Sequence, residues 1–205
     1  MKMHILMTTC GLLLFLLSGC GGGLKTSKNE FLGEIPSIQR YYYDKTEEKD
    51  RELKACTDME KAFKLDKEKQ LLKDEWDSKI TESMKTNPLT TPLPFEPLKD
   101  QSWTITGISV NLVNTMGFEC KIAMRILTDI RFEYKDLFLY YKAVDKDGKD
   151  IPDTKVRALV RQELGKDLKA GTEMETVGCW TIHGMVNLEN FSKVRFITQE
   201  EYERR

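Results

Sequence analysis

Five cysteines carry the most evident chemistry in this 205-residue chain. Cys10 and Cys20 lie near the start, and Cys56, Cys120 and Cys179 are spread over the rest. Thiols form disulfides in an oxidising compartment, but three thiols allow only one bridge within the chain. We predict a disulfide between Cys120 and Cys179, because both fall in the same predicted domain. The alternative is that all three stay free thiols.

One histidine and a group of aspartates are the other candidate chemical groups. Only His183 lies beyond the first residues, and it would need a serine or cysteine brought close by the fold to act with a nucleophile. Four aspartates stand within nine residues, but Lys149 and Asp150 occupy places where a calcium-binding EF-hand loop needs an acid or amide and a glycine. These aspartates therefore predict a solvated hairpin turn: Asp145, Asp147, Asp150 and Asp153. The sequence predicts no catalytic residue, metal ligand or cofactor, and hence no enzyme.

The first nineteen residues are typical of a secretion signal. Lys2 supplies a positive charge, and residues 5–17 form an apolar stretch too short to span a bilayer as a stable helix. The next four-residue segment, Leu17-Ser18-Gly19-Cys20, resembles the lipobox of bacterial lipoproteins.

That resemblance implies that residues 1–19 are removed and that Cys20 becomes the lipidated first residue. Several acyl chains on one residue anchor a protein stably in a membrane. Gly21 differs from the aspartate that marks retention in the inner membrane, so we predict an outer-membrane lipoprotein. The side of the membrane that the protein faces stays open.

Residues 20–36 are predicted to be a flexible tether after the lipidated cysteine, because the segment opens with three glycines and polar residues. Residues 37–86 contain no Gly or Pro, and half of them are charged. Acids that stand four residues before bases stabilise helices. We therefore predict a helical region over 37–86, with Ser37 as the residue that caps its start.

The apolar residues of this helical region fall into two stripes, whose phase slips between Phe63 and Leu65. This pattern fits one long helix, or a helical hairpin that turns within 64–69. A further helix start is predicted at Thr57-Asp58-Met59-Glu60, which has the spacing of a capping box. The stripes are Leu53, Cys56, Met59, Phe63 and then Leu65, Leu72, Trp76, Ile80, Met84.

Residues 87–98 hold four prolines and are predicted to be a stiff linker. From residue 99 onward apolar and polar residues alternate, most clearly from Cys120 to Phe132. About seven short strands over 99–205 predict an immunoglobulin-like β-sandwich. The predicted fold class is thus α+β, with a charged helix or helical hairpin before an all-β sandwich.

Four segments in the second half resemble, in their order, the small extracellular β-sandwich modules of the FxLYD type. They are Gly107-Ile108-Ser109-Val110-Asn111, Phe138-Leu139-Tyr140-Tyr141, Asp145-Lys146-Asp147-Gly148-Lys149 and Leu168-Lys169-Ala170-Gly171. Tyr141 departs from the pattern, which has an aspartate there. The whole chain also resembles small uncharacterised lipoproteins of Bacteroides-type bacteria. Neither resemblance implies a catalytic residue.

The charge balance bears on the choice of partner. The chain has 32 basic and 33 acidic residues, which argues against a dedicated nucleic-acid binder. We predict a non-enzymatic adaptor or protein-interaction module, whose helices or sheet edge bind another envelope protein. The alternative is a surface module that binds a glycan or host protein, and two or more exposed aromatics outside the core would favour it. We expect the core to use most aromatics of the sandwich: Trp103, Trp180, Tyr134, Tyr140 and Tyr141.

Overall fold

The computed structural model describes residue 24 and residues 26–131, 137–160 and 167–204. In this part of the chain two long helices precede seven strands, with short helices near the end. The elements are α1 Ile35–Ala55, α2 Met59–Thr86, β1 Phe95–Glu96, β2 Trp103–Asn114, β3 Gly117–Ile126, β4 Leu137–Asp145, β5 Val156–Val160, β6 Glu173–Thr181, α3 Ile182–Met185, β7 Phe191–Ile197 and α4 Gln199–Glu203. The protein is therefore of mixed α+β type with a β-sandwich-like arrangement.

The helical region forms two helices separated by residues 56–58. The side chain of Asp58 accepts a hydrogen bond from the backbone N–H of Lys61 and so caps the start of α2. The predicted additional helix start is thus confirmed, whereas the predictions of one unbroken helix and of a turn within 64–69 are wrong. Helix α1 also begins two residues before Ser37, with Pro36 in its first turn.

The two helices run antiparallel as a hairpin. The rings of Tyr42 and Trp76 stack with centroids 6.1 Å apart, and the Tyr42 hydroxyl donates to Glu75 at 2.8 Å. Closer to the turn, ion pairs join the helices, with Lys49 Nζ 3.1 Å from Glu68 Oε2. The base of the hairpin is therefore held by aromatic packing, and its outer half mainly by charges.

The strands form two sheets. A three-stranded antiparallel sheet has the order β2-β3-β6, and a four-stranded sheet has the order β1-β7-β4-β5. In the second sheet β1 runs parallel to β7, and the other neighbours are antiparallel. Six of the seven strands in the described residues lie within 99–205, where about seven were predicted, and β1 lies in the segment 87–98 that was predicted to be a linker.

The alternation that predicts the clearest strand extends beyond that strand in the structure. The strand predicted from Cys120 to Phe132 ends at Ile126 in β3. Beyond it Ile130 forms only an isolated bridge with Leu168, and Phe132 lies outside the described residues. Alternation in sequence therefore continues past the point where the backbone leaves the sheet.

The proline-rich segment 87–98 packs along the sandwich. The Leu93 N–H donates to Ile108 O, and the Val194 N–H donates to Pro94 O, both at 2.8 Å. Leu93 is buried, and β1 lies within the segment. The segment is extended, as predicted, but these contacts make it part of the fold and not a free spacer.

The residues before α1 are also folded. Leu32 is fully buried, and Asn29 and Gly33 exchange backbone hydrogen bonds. The predicted flexible tether over 20–36 is therefore ordered structure at least from Asn29 onward. Because the hairpin base and both sheets contribute to one buried cluster, the helices rest directly on the sandwich.

Candidate functional site

The cysteines lie apart in the structure, and the predicted disulfide between Cys120 and Cys179 is not formed. Strand pairing sets Cys120 opposite Gly178 and Glu119 opposite Cys179. Successive residues of a strand point to opposite faces, so Cys120 is buried and Cys179 is exposed. Thiols that point apart require backbone movement before they can be bridged. Cys20, the predicted lipidation site, lies outside the described residues.

The two strand cysteines have the electrostatics of unreactive thiols. Burial raises the pKa of Cys120 far above its ordinary value. Burial, followed by the nearby Glu119 carboxylate, raises the pKa of Cys179. Because the thiolate is the nucleophilic form, neither side chain is an activated nucleophile at neutral pH.

His183 and the aspartate group take structural roles. His183 lies in α3, where its Nδ1 is 2.9 Å from the Tyr43 hydroxyl oxygen of α1. Asp145 Oδ1 accepts backbone hydrogen bonds from Asp147 and Lys149 and so closes the predicted turn. No cluster of three or more His, Cys, Asp or Glu side chains that could hold a metal ion occurs in the ranges described above.

A cleft of about 760 Å³ lies where the β4–β5 loop meets α3. The side chain of Lys142 is almost fully buried at its wall, and its Nζ is 2.7 Å from Asp150 and 2.5 Å from Glu201. Burial alone would lower the pKa of Lys142, but the two carboxylate hydrogen bonds raise it above its ordinary value. Lys155 Nζ donates to the Arg204 carbonyl oxygen at 2.6 Å. Both cationic side chains thus bind groups in or next to α4, Glu201 and the Arg204 carbonyl oxygen. They are therefore not available in the cleft to bind an anionic ligand.

A row of partly exposed aromatic rings lies on the outer face of the four-stranded sheet. The Tyr140 ring is 6.3 Å from that of Phe138 and 5.0 Å from that of Tyr202 on α4. The Arg157 guanidinium lies 4.8 Å above the Phe138 ring. Together with the exposed Leu159, which pairs with Phe138 across β4 and β5, these side chains form what we call the outer patch.

Other aromatics of the sandwich behave as predicted. Trp103, Trp180 and Tyr141 are buried in the core. Tyr140 differs, because it belongs to the outer patch, and Tyr134 lies outside the described residues.

Exposed apolar side chains also lie on the outer half of the hairpin. Met59 is 88% exposed, Phe63 62% and Leu71 67%. At 100° per residue they fall within about 120° of the circumference of α2. The Lys67 ammonium sits 4.5 Å from the centroid of the Phe63 ring. We call Met59, Phe63 and Leu71 the apolar stripe.

Met59 and Phe63 belong to the first of the two stripes that the sequence predicts, whereas Leu71 belongs to neither. Leu65 and Trp76 are buried on one side of α2, while Phe63 lies on another side. The phase slip between Phe63 and Leu65 therefore separates a buried face of α2 from a face whose side chains are mostly exposed to solvent.

Comparisons with known proteins give no relative from which a role could be transferred. No protein-family model, curated protein or solved structure matches the chain. Among the residues that the structure describes, none of the helices combines the length and apolar character needed to cross a bilayer.

Proposed function

We propose that this chain is a lipid-anchored envelope protein that acts as a non-enzymatic protein-interaction module. The lipobox-like Leu17-Ser18-Gly19-Cys20 supports an anchor on Cys20 in the outer membrane. The observation that carries the interaction role is the apolar stripe on α2. A partner protein would cover Met59, Phe63 and Leu71.

The physical argument starts from the cost of exposing large apolar side chains. Burial of apolar surface stabilises a complex by about 25 cal/mol per Å² before the costs of association. Half of the residues in the helical region are charged, so charged side chains would readily fit these surface positions. A group of large exposed apolar side chains on such a charged surface is typical of an interaction site.

The packing of the hairpin on the sandwich supports a rigid presentation of this stripe. Tyr42 and Trp76 fix its base to the core cluster, and Trp76 is almost fully buried. A rigid partner surface loses less conformational entropy on binding. The stripe lies on the half of α2 that is farther from this base.

Photo-crosslinking in living cells tests the interaction role with the full chain. A photoreactive phenylalanine analogue at Phe63 should give a discrete crosslinked band, whereas the same analogue at Thr81 should not. Thr81 is an exposed matched position about 27 Å along the same helix. The Met59→Asp change should reduce the Phe63 band several-fold without changing the amount of protein. Equal labelling at both positions would count against a specific partner.

The anchor has its own experiment. Cys20→Ala should abolish incorporation of labelled palmitate and shift the protein from the membrane fraction to the soluble fraction. Cys179→Ala is the control and should leave both unchanged. Palmitate incorporation that persists in the Cys20 variant would contradict the anchor.

We further propose that the sandwich is immunoglobulin-like, and its strand order supports this. The order β2-β3-β6 corresponds to strands A-B-E of that fold, and β7-β4-β5 corresponds to F-C-C′. In place of the last strand, β1 pairs with β7 but runs parallel to it.

The outer patch favours a second candidate, a surface module that binds a glycan. Phe138, Tyr140 and Tyr202 form a cluster of partly exposed aromatic rings outside the core, and exposed aromatics of this kind favour the alternative. Protease treatment of intact cells that carry a C-terminal epitope tag separates the two functions. Loss of the tag would place the sandwich at the surface, where glycan arrays with wild-type and Tyr140→Ala protein can follow. A protected tag would exclude surface ligands.

A further inference from the structure

The folded body begins very close to the proposed anchor. Leu24 already packs against the buried cluster, and only Gly21, Gly22 and Gly23 separate it from Cys20. Four residue steps span at most about 14 Å. A lipid on Cys20 therefore holds the end of the molecule near Leu24 within about that distance of the bilayer.

From residue 26 onward the segment contacts the rest of the structure at two points. The Ser37 hydroxyl of α1 donates to Ser27 O at 3.2 Å. The Asn29 side-chain amide donates to Phe191 O at 2.8 Å, where β7 begins. The membrane-proximal end is thus the end where α1 and β7 start.

The β2–β3 turn lies at this same end. Gln39, one helical turn after Ile35, donates from its side-chain amide to Asn114 O at 2.9 Å. The Asn114 side chain accepts from the backbone N–H groups of Met116 and Gly117, which closes the turn. This local structure presents Met116 outward, and its side chain is 78% exposed.

We propose that the bilayer surface covers this turn, with Met116 inserted beside the lipid anchor. The inference rests on the proposed lipidation of Cys20. The four residues of the turn, Asn114-Thr115-Met116-Gly117, carry no charge, so none resists entry into the interfacial region. The short chain between the anchor and Leu24 argues for lipid as the occupant.

The contact would orient the protein on the membrane. Helix α1 starts at the membrane-proximal end and is about 31 Å long. With α1 directed away from the bilayer, the proposed contact places the turn of the hairpin, with Met59 beside it, on the side of the molecule far from the membrane. In this orientation the apolar stripe is free to meet another envelope protein.

A fluorescent probe tests this orientation in the full, lipidated chain. Met116→Cys is labelled with an environment-sensitive dye in a Cys56→Ser, Cys179→Ser background, where the remaining described thiol, Cys120, is buried. The protein is reconstituted in vesicles of phosphatidylethanolamine and phosphatidylglycerol with spin-labelled acyl chains. The matched control carries the dye at Met59→Cys, the other strongly exposed methionine.

We expect a blue-shifted emission and several-fold stronger quenching at position 116 than at position 59. Protein that floats with the vesicles but shows an aqueous dye at 116 would overturn the inference and leave the anchor intact. Stronger quenching at 59 would show that the hairpin meets the membrane, which also overturns it. Protein that fails to float would remove the anchor and, with it, this inference.

Discussion

At the scale of single residues, the two sheets approach each other closely at Gly178 of β6. A Cβ atom at this position would lie 2.2 Å from the Tyr141 hydroxyl and 2.9 Å from its ring. Tyr141 is fully buried and has no room to retreat. The glycine is therefore required by packing between the sheets, since its φ angle is an ordinary negative one.

We expect Gly178→Ala to lower the free energy of unfolding by about 1–3 kcal/mol, the usual range for overpacking a core. The matched control is Gly107→Ala in β2, where the nearest atom to a new Cβ is the Ala123 Cβ at 4.0 Å. Urea denaturation of both variants measures the difference. Equal stability of the two would show that Tyr141 can move.

At the scale of elements, the start of α2 depends on Asp58. Its carboxylate accepts the Lys61 N–H at 2.9 Å, which satisfies one of the free donors of the first turn. We expect Asp58→Ala to cost about 1 kcal/mol in unfolding free energy. Thr57→Ala should have little effect, because Thr57 is exposed and Asp58 holds the cap position. Thermal melts would contradict this assignment if Thr57→Ala were the more damaging change.

Strands could be predicted from the sequence where one face is buried. Cys120, Ile122 and Met124 of β3 are buried, and the residues between them are more exposed. The break between the two helices at 56–58 was harder to predict from the sequence, because it contains neither Gly nor Pro. The local pattern at Thr57-Asp58-Met59-Glu60 predicted a helix start here, but the contact of Tyr42 with Trp76 that joins the two helices is not encoded by local patterns.

The candidate sites show the same limit. The sequence shows two apolar stripes over residues 53–84, but only the position of α1 decides that Leu65 is buried and Phe63 exposed. The faces of Cys120 and Cys179 depend on the register between β3 and β6. Residue spacing alone does not determine that register, so the sequence could not show that the two thiols lie on opposite faces of the sheet. The disulfide prediction was wrong for this reason.

The C-terminal helix α4 is another element held by specific contacts. Lys142 of β4 joins it through Glu201 while also binding Asp150. We expect Lys142→Met to speed amide exchange in α4 and to cost about 1.5–3 kcal/mol, as for hydrogen bonds to charged groups. Lys146→Met on the exposed turn is the matched control and should change neither. Unchanged exchange in both variants would show that other contacts suffice to hold α4.

At the scale of the whole molecule, buried tyrosine hydroxyls and a buried cysteine thiol make the stability of the fold decrease at alkaline pH. Burial raises the pKa of Tyr141 and of Cys120, and burial together with the Glu75 hydrogen bond raises that of Tyr42. The unfolded chain releases these protons near the ordinary pKa values of about 8.5 for Cys and 10 for Tyr. The stabilisation is therefore complete below about pH 8.5 and is lost as the pH rises above it.

We expect the urea midpoint to fall progressively from about pH 8.5 to pH 11. Tyr141→Phe should reduce the fall above about pH 10, because one fewer proton is released on unfolding. The Tyr141 hydroxyl has no hydrogen-bond partner within the described structure, so this variant should fold normally. The same pH slope in wild type and variant would contradict the role of Tyr141.

The hairpin and the sandwich share one buried cluster, which makes independent unfolding unfavourable. Trp76 reports on the hairpin and Trp180 on the sandwich, and both are almost fully buried. We expect variants in which Trp76 or Trp180 is the sole tryptophan, with Trp103 and the other one replaced by Phe, to show fluorescence and circular dichroism midpoints that coincide in urea. Each variant is its own control, because both probes are read on the same sample. Separate midpoints in the Trp76 variant would mean that residues 87–98 join two independent domains, since the hairpin would then melt while the sheets persist.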